Sequence, residues 1–224
     1  DDYVQAMCHD IEDPTFDATA AATNPRAQVR PIHRPPRRPT DRQPHCAWTV
    51  EIVPDAEPLP FPPQAEQLGR SHAAALPLAA PDAALPADDG WSDYAGPLDP
   101  DLVLERFSSA VLGAIADEVC LQGHLLARAY LLQVADRIGG TEAMAMGSKQ
   151  LVGIAGVATK RLAAALGAQP DLDGIATVLA VHPMLLPRPY VDLRLGRDPS
   201  GDDALVVSIG PCAATEEDDG LTWP

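Results

Sequence analysis

Residues 101–140 read DLVLERFSSA VLGAIADEVC LQGHLLARAY LLQVADRIGG, and their reading decides the fold class. Apolar residues step by three and four through Leu104, Phe107, Val111, Ile115 and Val119, then Leu126, Tyr130, Val134 and Ile138. That spacing predicts an amphipathic helix, opened by Asp99 as N-cap with Pro100 behind it and ended by Gly139-Gly140. An unbroken helix over 101–138 would be about 57 Å long at 1.5 Å per residue. A break near Gly113 or Gly123 is therefore expected.

Working outward toward the C-terminus, Thr141 is placed to cap a second helix. That helix runs to about Leu166 and stops at Gly167. Its interior Gly147, Gly153 and Gly156 read as close-packing positions, because no strand and Gly-rich loop precede them to bind phosphate. A short helix over Leu172–Val181 ends at His182-Pro183. The alternating stretches Tyr190–Leu195 and Ala204–Ile209, joined by Asp198-Pro199-Ser200-Gly201-Asp202, predict a closing β-hairpin. The acidic run Glu216–Asp219 reads as a solvated tail.

The N-terminal side has a different character. Most of the 24 prolines lie before residue 101. Proline removes an amide donor and fixes φ, so this half is expected to be extended and turn-rich, with polyproline II. Ala47–Val53 alternates as a half-buried strand through Trp48, Val50 and Ile52. The expected class is α+β: an extended Pro- and Arg-rich region with one or two strands (1–53), a linker or wrapping arm (54–98), and a helical domain closed by a β-hairpin (99–224).

Composition narrows the function classes. The formal net charge is −16, which repels a phosphate backbone, so no nucleic acid is expected as partner. No apolar run is read as reaching the roughly 18–20 residues of a membrane span, and no secretory leader is legible. The four cysteines are spread without a CxxC pair and read as free thiols of a cytoplasmic protein. Arginine greatly outnumbers lysine, and alanine and proline abound, which reads as the codon bias of a GC-rich bacterial genome.

Three constellations could carry chemistry. Cys8-His9 and His45-Cys46 are two Cys/His pairs with the side-chain types of a zinc or iron site. Neighbouring residues, however, fall short of the usual two-to-four-residue ligand spacing; the alternative is buried thiols with histidines bonded to the backbone. Asp117, Cys120, His124 and Arg128 share one helical face. There a carboxylate could orient an imidazole, a thiol could serve as nucleophile, and arginine could hold an anionic substrate; the alternative is a solvated ladder of charges. Arg26, Arg30, Arg34, Arg37, Arg38 and Arg42 sit among prolines as a stiff rod that would bind an acidic partner, or acidic residues of the same chain such as Asp10, Glu12, Asp13 and Asp17.

The leading expectation is a non-catalytic accessory subunit or protein-interaction domain, docking through the Pro/Arg-rich arm onto a protein partner or another copy. The alternative is a small-ligand-binding or metal-dependent enzyme domain with its pocket beside the long helix at Asp117, Cys120, His124 and Arg128.

Overall fold

The structure, a computed structural model, describes residues 2–58, 63–77, 79–85, 90–93, 101–199 and 204–218. It is an α+β fold of long helices with two small antiparallel strand pairs, one of them the C-terminal hairpin. The expected cap at Asp99-Pro100 and the hairpin turn over 200–203 lie outside the described residues.

The central element is α5, Ser109–Ile138. Its start is set by Ser108, whose hydroxyl accepts the Val111 amide at 3.3 Å, rather than near residue 101. A 3-10 turn, Leu104–Arg106, precedes it. Neither Gly113 nor Gly123 breaks the helix; both face open space. The buried face runs through Val111, Ala114, Leu125, Ala129 and Leu132, while Val119 is 65% exposed. A row of constant four-residue steps drifts about 40° per step around a 3.6-residue helix, so the row from Val111 has left the core by Val119. By length and composition α5 is also apolar enough to cross a membrane, unlike the reading of the sequence. In the fold it packs against other helices, with 28% of its most apolar stretch buried.

Gly139, at φ +97°, ends α5 and starts α6, Gly140–Leu166, in place of the expected Thr141 cap. The second helix folds back on the first. Gly147 meets Leu131, where a Cβ would lie 2.7 Å from Leu131 Cδ2; Gly153 and Gly156 face open space and pack against nothing. Gly167, at φ +61°, closes α6. Asp171 then caps α7, Leu172–Ala180, by accepting the Gly174 amide at 2.8 Å.

The N-terminal region departs most from expectation. Residues Asp2–Thr23 are helical, not extended: α1 (Asp2–Gln5), a π-helical segment (Ala6–Ile11) and α2 (Glu12–Thr23). The proline argument holds only from Pro25 onward, because Pro14 sits in the first turn of α2, where a missing amide costs little. The next segment forms β1, Ala27–His33, antiparallel to β2, Ala47–Ile52, with Pro31 opposite Trp48. The expected arm is also partly helical. In it α3 (Pro63–Gly69) and α4 (His72–Ala75) bury Ala65, Leu68 and Ala73. The closing hairpin pairs β3, Leu193–Arg197, with β4, Leu205–Ile209. One core joins Ala18, Leu68, Leu125, Leu132, Tyr190 and Ala214, drawing on all three regions of the sequence.

Candidate functional site

Burial divides the helical constellation, and Asp117 lines a cleft of about 250 Å³ with Leu121 and Pro187. His124 and Arg128 are buried, while Asp117 and Cys120 are half-buried. The anion facing Arg128 comes from its own chain: Glu217 Oε2 lies 3.7 Å from Arg128 Nη2. Glu217 is only 5% exposed, so the expected solvated tail is here a core residue. Its carboxylate accepts the His72 amide at 2.8 Å, the Ala73 amide at 3.0 Å and the Tyr190 hydroxyl at 3.0 Å. It thereby satisfies the first amides of α4, which an isolated helix end would leave unpaired. His124 Nε2 donates to the Leu186 carbonyl at 2.8 Å, and its ring lies 4.8 Å from that of Tyr190. Burial holds His124 below the ordinary imidazole range, against the Leu186 carbonyl, which pulls it up. Burial likewise pushes the Tyr190 hydroxyl up.

This is a closed polar knot tying α4, α5 and the C-terminal segment. Outside it, burial pushes the Asp117 carboxyl up, with Arg188 acting the other way. Burial and then Asp117 push the Cys120 thiol up, the direction opposite to that of an activated thiolate. Sequence reasoning missed Glu217 and Tyr190. Nothing local marks an acid in a run of acids as the buried one; the choice is made by the α4 amides that it meets, 145 residues away.

The two Cys/His pairs do approach one another. Burial pushes the Cys8 thiol up, and nearby Glu12 and Cys46 add to the shift. His9 is fully engaged: Arg34 Nη2 donates to its Nδ1 at 2.9 Å and its Nε2 donates to the Pro35 carbonyl at 3.2 Å. Burial and then Asp13 push the Glu12 carboxyl up, against the charges of Arg34, His45 and His9, which pull it down. Among the described residues no three His, Cys, Asp or Glu side chains form a set able to hold a metal, and all four cysteines are free thiols.

The arginine rod is turned inward at several points. Arg34 pairs with Asp13 at 2.8 Å and lies over the Trp48 ring. Arg26 donates to the Ala56 carbonyl, Arg30 to its neighbour's carbonyl and Arg37 to the Arg42 carbonyl.

Among the described residues, apolar surface also stays open elsewhere. One such feature is a cleft of about 480 Å³ between α2, the β1–β2 ribbon and α5. Trp48, Val50 and Ile52 form its ribbon wall, where the sequence predicts a half-buried strand face; Val50 is 66% exposed. A second cleft of about 320 Å³ adjoins it at Phe16 and Leu126, between the π-helical segment, α5 and α6. Another feature is the exposed length of α6. This 27-residue helix buries only Ala143 and Gly147, and it leaves Met146, Val152 and Val157 exposed, Val152 by 76%.

Compared with known proteins, the chain matches no family model, no curated protein and no solved structure.

Proposed function

We propose that this chain is a non-catalytic interaction domain of a larger assembly, and that it docks through the exposed length of α6 onto the acidic surface of a second copy. The observation that carries the reading is the exposure of α6 itself. A helix of 27 residues that buries two of them leaves most of its apolar side chains in water.

Charge supports the choice of partner. The chain carries −16 overall, yet no Asp or Glu occurs between Glu142 and Asp171, while Lys149, Lys160 and Arg161 do. Mutual repulsion opposes most approaches of two copies. An exposed helix that intersperses apolar residues with cations and carries no acid over 143–170 is a surface on which contact with the acidic remainder of another copy is attractive. The arginine rod is less suited to docking, since Arg26, Arg30, Arg34 and Arg37 bond to their own chain. The non-catalytic part of the reading is supported by the buried polar knot, in which Glu217 of the same chain, rather than a ligand, faces Arg128.

The test is the mass of the purified chain in solution by light scattering. The wild type is expected to exceed one chain at micromolar concentration and to fall toward one chain in high salt. Val152→Glu with Val157→Glu is expected to leave a folded single chain. A wild type that stays a single chain throughout overturns the proposal.

A further inference from the structure

The junction between the N-terminal helices and the β1–β2 ribbon, remote in sequence from α6, brings together two of the four free thiols. Cys8 lies in the π-helical segment and Cys46 just before β2. The contacts around them set their positions. His33 Nε2 donates to the Pro44 carbonyl at 2.7 Å, and His33 pairs with Ala47 across the ribbon, so residues 44–47 lie against the end of β1. That end in turn meets the π-helical segment. His9 Nε2 donates to the Pro35 carbonyl at 3.2 Å, and Arg34 Nη2 donates to His9 Nδ1 at 2.9 Å. Further along, the Phe16 and Trp48 rings meet edge-on at 4.7 Å. Cys46 is close enough for its charge to add to the upward push that burial and Glu12 give the Cys8 thiol. Both cysteines are half-buried, and Cys8 also lines the open cleft of about 320 Å³.

The polar contacts of this junction are incomplete. Asp13 Oδ1, His33 Nδ1, Arg34 Nε and Trp48 Nε1 are buried and have no hydrogen-bond partner among the described residues. Buried polar atoms left unpaired cost free energy, which favours local opening at the contact that holds them. A covalent tie here would fasten what the side-chain bonds fasten only in part.

We propose that Cys8 and Cys46 form a reversible disulfide, made by exchange with a low-molecular-weight disulfide such as oxidised glutathione, that locks the N-terminal helices onto the ribbon. The Cys46 thiolate attacks one sulfur of the small disulfide. A Cys46–glutathione bond forms, the glutathione S–S bond breaks, and one glutathione thiolate leaves. The Cys8 thiol then gives its proton to solvent and attacks Cys46 Sγ, and the second glutathione leaves as a thiolate. Two protein thiols are oxidised, and one small disulfide is reduced to two thiols. Cys8 acts second because a thiol pushed up is a poor first attacker, whereas the fold holds Cys46 Sγ beside it for the second step.

The test is to equilibrate the folded full chain in an oxidising glutathione buffer, quench with acid, cleave with trypsin without reduction and read the peptides by mass spectrometry. The peptides that hold Cys8 and Cys46 are expected to be joined with loss of two hydrogens, and to separate in dithiothreitol. The joined yield is expected to fall about ten-fold or more in strong urea, where the two sulfurs meet only at the effective concentration of a flexible chain. Cys8→Ser is expected to leave Cys46 carrying one glutathione. Amide exchange over Ala6–Thr23 is expected to slow on oxidation of the wild type and not of Cys8→Ser. Cys8 and Cys46 that stay unjoined in the oxidising buffer, a joined yield no higher in the folded chain than in urea, or exchange over Ala6–Thr23 unchanged by oxidation would overturn the proposal.

Discussion

Glu217 shows how one carboxylate organises distant parts of the chain. It receives two α4 amides and the Tyr190 hydroxyl, and it faces Arg128. Removing one member of a buried charge pair leaves the other uncompensated. Arg128→Leu is therefore expected to cost about 3–5 kcal/mol, and Tyr190→Phe about 1 kcal/mol, measured by urea unfolding. His124 adds a pH dependence. Its imidazole is held below the ordinary range by burial, so the unfolded chain takes up the proton first as pH falls. The stability it contributes is complete above about pH 6.5 and is lost as pH drops below that value toward the lower folded-state pKa. The urea midpoint of the wild type is expected to fall more steeply between about pH 7.5 and pH 5.5 than that of His124→Gln. Equal slopes would contradict a buried neutral imidazole. The sequence placed His124 and Arg128 on one helical face but not their partners. Those partners, Leu186 and Glu217, lie 62 and 89 positions away, and no local spacing encodes them.

At the scale of elements, the glycines of α6 separate two physical roles that look alike in sequence. Gly147 lies under Leu131, whereas Gly153 and Gly156 face open space. In a helix, glycine costs about 1 kcal/mol relative to alanine. Gly153→Ala and Gly156→Ala are thus expected to raise the stability of the single chain by roughly that amount. Gly147→Ala is expected to lose the gain, or reverse it, against Leu131. Thermal unfolding of the three variants checks the contrast. The long helices, the Gly167 stop, the strand at Ala47 and the C-terminal hairpin were legible because each rests on local periodicity, a cap or a turn. The N-terminal helix was not, because a proline count over 100 residues averaged away the single Pro14 of Asp2–Thr23. β1 was hidden by Pro31, which the two-stranded ribbon tolerates.

At the scale of the whole molecule, one core is built from alanine, leucine and valine with few aromatic anchors. That economy has a counterpart on the surface. Large apolar residues remain exposed on the β1–β2 ribbon, on α5 and along α6. On the ribbon side they line the larger cleft, and along α6 they form the proposed docking surface. A helix that stands out from the core with so little cover exchanges its amides readily unless a second copy protects it. The most direct measurement is amide hydrogen exchange over residues 149–166, read by mass spectrometry at a dilute and a concentrated protein solution. Slower exchange in this segment is expected at the higher concentration, with the core of α5 unchanged, and no such difference in Val152→Glu/Val157→Glu. Exchange over 149–166 that is the same at both concentrations would contradict it.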